Sequence, residues 1–421
     1  MKRLLYLLII IVAIALVVLI GYLLRYRAET PPLGTETPGG LPSPQTTTGQ
    51  QPPSAGQQPS GQQTTGAGTA AGYQPRKFGV VAQNQVVSYY VDDQNNVILV
   101  QPDGQIIKIT RSEAVALSSS AIVNLIRASF SYDGKKILAT FGDVLNPQSS
   151  VFDVASKSWT PLQQNLKSPV WSPNNYQIAY FVDKVVDRNT ASSLATLDIS
   201  NSKSKPEELI SIRAQDLSLD WLNPTQILIS DKSSALSMGS LLGFDIKKKV
   251  FSIIVEEKVG LDSIWSGATN TGLVFSANIN SRGGDLTLYN ARGDLLRQFT
   301  ILTLPSKCAF DIRVASSTPA TTIKATSTTP SSSSPTSAKS TLYCAVPRDL
   351  QKFSTSRLPD EYEKEELFTT DDLYKINLEN GDIEVIFNDI SQNLDASLLK
   401  VFNQTLFFVN RFDQKLYALS L

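Results

Sequence analysis

From Phe78 to Leu421 short apolar runs alternate with Asn, Asp, Gly and Ser, and no 3.6-residue period runs through them. That pattern predicts strands joined by tight turns. Two other patterns precede it. Leu4 to Leu24 is an unbroken run of 21 apolar or weakly polar residues, enough to cross a hydrocarbon core of about 30 Å. Lys2 and Arg3 precede the run, Arg25 and Arg27 follow it, and Tyr6, Tyr22 and Tyr26 sit near its ends, where amphipathic rings favour the membrane interface. A cleaved signal peptide is the rival reading, but its apolar region is typically about 7 to 15 residues and ends at a small-residue site. Residues 1–27 are therefore expected to form a retained, single-pass anchor. Residues 28–77 turn to Pro, Gly, Gln, Ser and Thr, too poor in apolar surface to offset the entropy of ordering. A disordered stalk is expected there, with a reach of about 40 Å.

Within the strand-rich region one short pattern recurs: an aromatic, usually Ser, a turn, then an apolar strand. It reads Phe130-Ser131-Tyr132-Asp133-Gly134-Lys135, then Trp171-Ser172-Pro173-Asn174-Asn175, with looser copies at Trp221-Leu222-Asn223-Pro224 and Trp265-Ser266-Gly267. The aromatics stand 41, 50 and 44 residues apart, and Phe310 lies 45 further on. That is the period of a four-stranded propeller blade. A second element follows each copy: a strand ending in Asp or Asn, a turn, and a returning strand, as in Leu373-Tyr374-Lys375-Ile376-Asn377 leading to Asn380-Gly381-Asp382. Gly at such turns supplies the positive φ of tight hairpins.

At these residues the sequence resembles the WD-repeat-like and TolB-like β-propellers, whose blades carry an aromatic-Ser-Pro-Asp-Gly-Lys turn between their first two strands. The resemblance spans about residues 78–421 and implies an all-β propeller of about seven four-stranded blades, with Phe130, Asp133, Gly134, Trp171, Ser172, Trp221 and Trp265 as blade-motif residues. Expected blades are 78–110, 122–161, 168–211, 216–256, 260–301, 306–388 and 393–421. The last contains three strands. Because a ring must not leave a long free edge, residues near Phe78 to Ala82 are expected beside it, closing the circle.

Cys308 and Cys344 are the only cysteines, and 315–340 between them is almost wholly Ser, Thr, Ala and Pro. A low-complexity insertion at a hairpin tip leaves two antiparallel neighbours whose cysteines face each other. A disulfide between them, and hence an oxidising compartment outside the cytoplasm, is expected.

Composition narrows the chemistry. Lys plus Arg and Asp plus Glu both total 38, which gives no net field for nucleic acid. Histidine is absent, so His-based triads and His-ligated metal sites cannot be built. No glycine-rich cofactor fingerprint occurs, and no cofactor or metal site is expected. The strongest charge concentration lies between Pro347 and Asp372: Asp360, Glu361, Glu363, Glu365, Glu366, Asp371 and Asp372. As a solvated acidic loop it is a candidate partner-binding segment, although its spacing matches no EF-hand. The sequence thus points to a membrane-anchored, extracytoplasmic binding or scaffolding module for a protein, peptide or glycan at the cell envelope, and not to an enzyme. The alternative is an envelope enzyme with carboxylates in the channel, of glycoside-hydrolase or metal-dependent lactonase type.

Overall fold

The structure, a computed structural model, describes residues 78–421 apart from 112, 119–120, 164, 187–188, 202, 279, 281 and 312–339. The expected anchor (1–27), stalk (28–77) and nearly all of the low-complexity insertion (315–340) lie outside the described residues. Among the described residues no helix is long and apolar enough to cross a membrane.

Seven antiparallel sheets of four strands are arranged as a propeller. Blade 1 comprises β2 (Ser88–Val91), β3 (Val97–Val100), β4 (Ile106–Ile109) and β5 (Ala114–Ala116). Blade 2 comprises β6 (Leu125–Phe130), β7 (Lys136–Gly142), β8 (Pro147–Asp153) and β9 (Ser158–Pro161). Blade 3 comprises β10 (Lys167–Trp171), β11 (Gln177–Val186), β12 (Asn189–Asp198) and β13 (Glu207–Ile212). Blade 4 comprises β14 (Leu217–Asn223), β15 (Gln226–Asp231), β16 (Met238–Asp245) and β17 (Val250–Val259). Blade 5 comprises β18 (Asp262–Ser266), β19 (Thr271–Ala277), β20 (Gly284–Asn290) and β21 (Leu295–Phe299). Blade 6 comprises β22 (Cys308–Asp311), β23 (Thr341–Pro347), β24 (Asp371–Asn377) and β25 (Ile383–Phe387). Blade 7 comprises β26 (Ala396–Phe402), β27 (Thr405–Asn410) and β28 (Lys415–Ser420), and its outermost strand is β1 (Phe78–Gln85).

β1 therefore closes the ring, pairing Phe78 with Leu419 and Gly79 with Ala418. The expected first blade, 78–110, is corrected at both ends: residues 78–85 belong to blade 7, and the first blade runs from Ser88 to Ala116, its fourth strand β5 lying beyond 110. The first strand of each blade lines the centre, and each blade buries its apolar face against the next. Seven apolar clusters occupy the seven seams. At the closing seam Tyr89 is wholly buried, and its hydroxyl hydrogen is shared between the carbonyls of Leu398 (2.6 Å) and Phe407 (3.0 Å). No blade can bury its own face, so the ring is the stabilising unit.

The turn motif explains itself at these seams. Phe130 ends β6, Ser131 Oγ donates to Asp133 Oδ1 (2.9 Å), and Ser131 Oγ accepts from the Lys136 amide (3.0 Å). Gly134 has φ +70°, and a Cβ there would lie 2.2 Å from the Tyr90 ring. Only glycine meets both demands. The next copy locks onto this one: Trp171 Nε1 donates to Ser129 O (3.1 Å) and Tyr176 OH to Asp133 Oδ2 (2.7 Å). Ser172 repeats the turn, donating to Asn174 Oδ1 (3.1 Å). Trp221 is buried and Trp265 half-buried in the seams on either side of blade 4, where both serve packing.

Candidate functional site

Hairpins between the second and third strands of each blade, and the connections between blades, share one face of the ring, here the upper face. β1 begins at Phe78 on the opposite, lower side, where the first strand of blade 6 also ends at Asp311 and its second begins at Thr341. On the upper face a cleft of about 680 Å³ opens at the channel mouth. Its walls come from the starts of β6, β10, β14 and β18 and from the hairpins of blades 2 to 4. Glu363 is contributed by the long connection of blade 6.

That connection, Arg348 to Thr370, is where the acidic loop was expected, and it folds into two short helices, α1 (Leu350–Thr355) and α2 (Asp360–Glu363). Asp349 caps α1, accepting from the Lys352 amide at 2.9 Å. Phe353, Leu358 and Tyr362 are buried beneath it in the seam of blades 5 and 6. Asp360 Oδ1 accepts from the Ala235 amide of blade 4 (2.7 Å), Asp372 is paired with Arg348 (2.6 Å), and Glu365 and Glu366 remain exposed. Glu361 is half-buried. Asp371 corrects the expectation of a solvent-facing acid. It is enclosed on β24 with its Oδ2 2.7 Å from Lys307 Nζ.

Around Lys307 a closed network forms. Asp395 Oδ1 also stands 2.7 Å from Nζ, Tyr362 OH and Thr369 Oγ1 lie 3.1 and 3.0 Å away, and Arg411 pairs with Asp395 Oδ2 at 2.9 Å. Arg411 also stacks on Tyr362 at 3.8 Å. Burial opposes the ammonium charge, but the two carboxylates outweigh it and hold the Lys307 pKa above its ordinary value. Two cations against two carboxylates make the network neutral, and it fixes the connection of blade 6 to blade 7.

Inside the channel and cleft the charges behave differently. Asp220, on β14, opens to channel solvent, yet protein surrounds that channel, and the confinement raises its pKa to about 6 despite the nearby positive charge of Arg127. Asp262, at the start of β18, is likewise pushed up to about 6, first by burial and then by the charge of Glu363. Glu363, exposed at the edge of the cleft, is itself raised by partial burial and by Asp360. Across the ring Lys400 lies over the Tyr89 ring (4.9 Å), donates to Tyr89 O (2.9 Å), and is drawn down to about 8 by burial. The inner strands thus carry charges of both signs, Asp220 on β14 and Lys400 on β26.

Sequence reasoning missed Arg127, Asp220, Asp262, Lys307, Asp395 and Lys400. Each is a single polar position in or beside an inner strand, and an isolated charge in an alternating run reads as a solvent-facing residue. The disulfide of Cys308 and Cys344 is present: the two face each other in register across β22 and β23 with Cα atoms 4.1 Å apart.

No family model and no curated protein matches the chain. Solved structures do match. Oligogalacturonate lyase from Vibrio parahaemolyticus is 8% identical over 80% of this chain and 89% of its own, with a TM-score of 0.50. The β-propeller domain of Cps50 (Swd1) from Myceliophteria thermophila is 11% identical over 82% of this chain and 99% of its own, with a TM-score of 0.44. Pyrococcus horikoshii acylaminoacyl peptidase is 11% identical with a TM-score of 0.41. It is matched over 68% of this chain, which spans only 43% of that enzyme. What the lyase shares with the chain is architecture alone: the chain is a seven-bladed β-propeller of four-stranded antiparallel sheets.

Proposed function

We propose that this chain is a membrane-anchored binding module whose upper-face cleft holds a protein, peptide or glycan at the cell envelope. The observation that carries the reading is the cleft itself, a polar recess flanked by exposed apolar side chains. Val144 and Leu145 at its edge are 76% and 79% exposed, and Leu236 on the neighbouring hairpin of blade 4 is 70% exposed. Apolar anchors around a polar recess are a common composition for recognition surfaces. The disulfide supports an oxidising compartment, and the apolar run Leu4 to Leu24 supports the anchor.

A photo-reactive residue at Leu145, compared with one at Val385 on the outer edge of blade 6, tests the reading in cells. Cross-linking at Leu145 that disappears on filling the cleft with Ser218→Trp is expected. Equal cross-linking from both positions, or indifference to Ser218→Trp, would overturn it.

A second reading, carboxylate catalysis in the cleft, is favoured by one observation: Asp262 and Glu363 come from different blades and line one cleft, where burial and the charge of Glu363 raise Asp262 to about 6. Hydrolysis of a glycan panel that is lost in Glu363→Gln would support it. Inactivity of the intact chain across the panel would count against it.

A further inference from the structure

We infer that the cleft receives a polypeptide through a primary ammonium group, an amino terminus or a lysine side chain, seated between Asp262 and Glu363. The inference rests on the binding reading above and narrows its ligand. Five carboxylates line the cleft, Asp183, Asp216, Asp231, Asp262 and Glu363, against three cations, Arg127, Lys167 and Lys232. In a chain of zero net charge that excess is local, and it selects a cationic ligand. The excess is also placed. Asp183 is paired with Lys167, Asp231 Oδ2 accepts from the Ser240 amide, and Arg127 lies near Asp220.

Asp262 and Glu363 have no such partner. The backbone amides of Ser263 and Ser306 favour the charged form of Asp262, and among the described residues no ion pair forms at Asp262 or Glu363, although the charges of Lys232 and Lys364 reach Glu363. Two carboxylates carried by separate elements suit a compact cation with three diverging donors better than a planar guanidinium fork, which matches one carboxylate. The molecule already contains that arrangement, with Lys307 Nζ 2.7 Å from both Asp371 and Asp395. A metal ion is a poorer match, because no third acidic, histidine or cysteine ligand joins the pair among the described residues. Leu261, Val144 and Leu145 line the same recess and supply apolar wall for the ligand's flanking residues.

The groups facing the pair are each other, Asp360 and Lys364 on or beside α2, and Lys232 on blade 4. Binding should therefore strengthen as pH rises through about 6, where Asp262 gives up its proton.

Titration calorimetry on the full chain at neutral pH tests this with three probes: Leu-Leu-Gly amide, acetyl-Leu-Leu-Lys amide and acetyl-Leu-Leu-Gly amide. One of the first two should bind at least about tenfold more tightly than the third, which lacks an ammonium, and which one does so tells amino terminus from side chain. The double variant Asp262→Asn/Glu363→Gln should erase the preference without any fall in its melting temperature. Absence of binding by all three probes, equal binding, or a preference that survives the double variant would overturn the inference. Loss of Leu145 cross-linking in Ser218→Trp without any ammonium preference sinks this inference alone. Cross-linking that ignores Ser218→Trp sinks the cleft reading beneath it.

Discussion

Lys307 Nζ stands 2.7 Å from Asp371 Oδ2, and both side chains are fully removed from solvent. Lys307 precedes the first strand of blade 6, and Asp371 begins its third. With Asp395 and Arg411 the pair joins blade 6 to blade 7 and holds the helical connection down through Tyr362 and Thr369. Replacing Lys307 by Met leaves buried carboxylates facing only Arg411, and the expected loss is about 3 to 5 kcal/mol in chemical unfolding. Limited proteolysis should then cut between Arg348 and Thr370 first. A loss below about 1 kcal/mol would mean that the network contributes little to holding the connection.

Ring closure by β1 gives a sharp contrast between two truncations. Removing residues 1–77 should leave the melting temperature close to that of the intact chain. Removing residues 1–85 takes away the outer strand of blade 7, exposes the edge of β28, and strips Phe78 from its stacking on Phe387 at 4.4 Å. An unprotected edge strand templates association, so light scattering on gentle warming should rise only for the longer deletion. Equal behaviour of the two proteins would show that β1 is dispensable.

The Cys308 to Cys344 bond closes a loop with a sequence separation of 36. Constraint of an unfolded loop of that size corresponds to about 3 to 4 kcal/mol. The double variant Cys308→Ser/Cys344→Ser should lower the unfolding midpoint accordingly, and reductant should affect the native chain but not the variant. A native midpoint insensitive to reductant would contradict this.

Two aspartates should give opposite pH responses. Asp262 is raised to about 6 in the folded state, so the native chain holds its proton where the unfolded chain has released it. Its contribution therefore becomes unfavourable as pH climbs from about 4 to 6 and stays so above. Asp262→Asn should stabilise at neutral pH and change little near pH 4. Asp153 is lowered to about 2, chiefly by its hydrogen bond from Lys136. Its contribution is present above about pH 4 and is lost as pH falls towards 2. Lys136→Met should flatten that acid limb. Thermal unfolding across the range reads both, and parallel profiles for the two variants would refute the assignment.

The blade period was legible because the Phe130 and Trp171 turns carry their own local chemistry. Ser131, Asp133 and Gly134 bond within a few residues, so spacing betrays them. Closure was legible for a different reason: a final unit with three strands demands a fourth. What stayed hidden are relations at long range. Lys307 meets partners 64 and 88 residues away, and nothing near it in the chain announces a buried cation. The acidic run at Asp360 to Asp372 read as a solvated loop, whereas Tyr362 and Leu367 within it, and Leu358 just before it, are buried and turn part of the segment inward. Asp262 and Glu363 become a pair only through the ring, since blades 5 and 6 bring together residues about a hundred positions apart.

The pairing of Phe78 with Leu419 also sets an order of events during synthesis. β1, the first strand among the described residues, has its hydrogen-bonding partner among the residues made more than 300 positions later. While blades 1 to 6 can stack as they emerge, β1 must wait unpaired until Lys415 to Ser420 arrives. The wheel is therefore fastened only once β28 has been made, and β1 is the strand most in need of shelter until then.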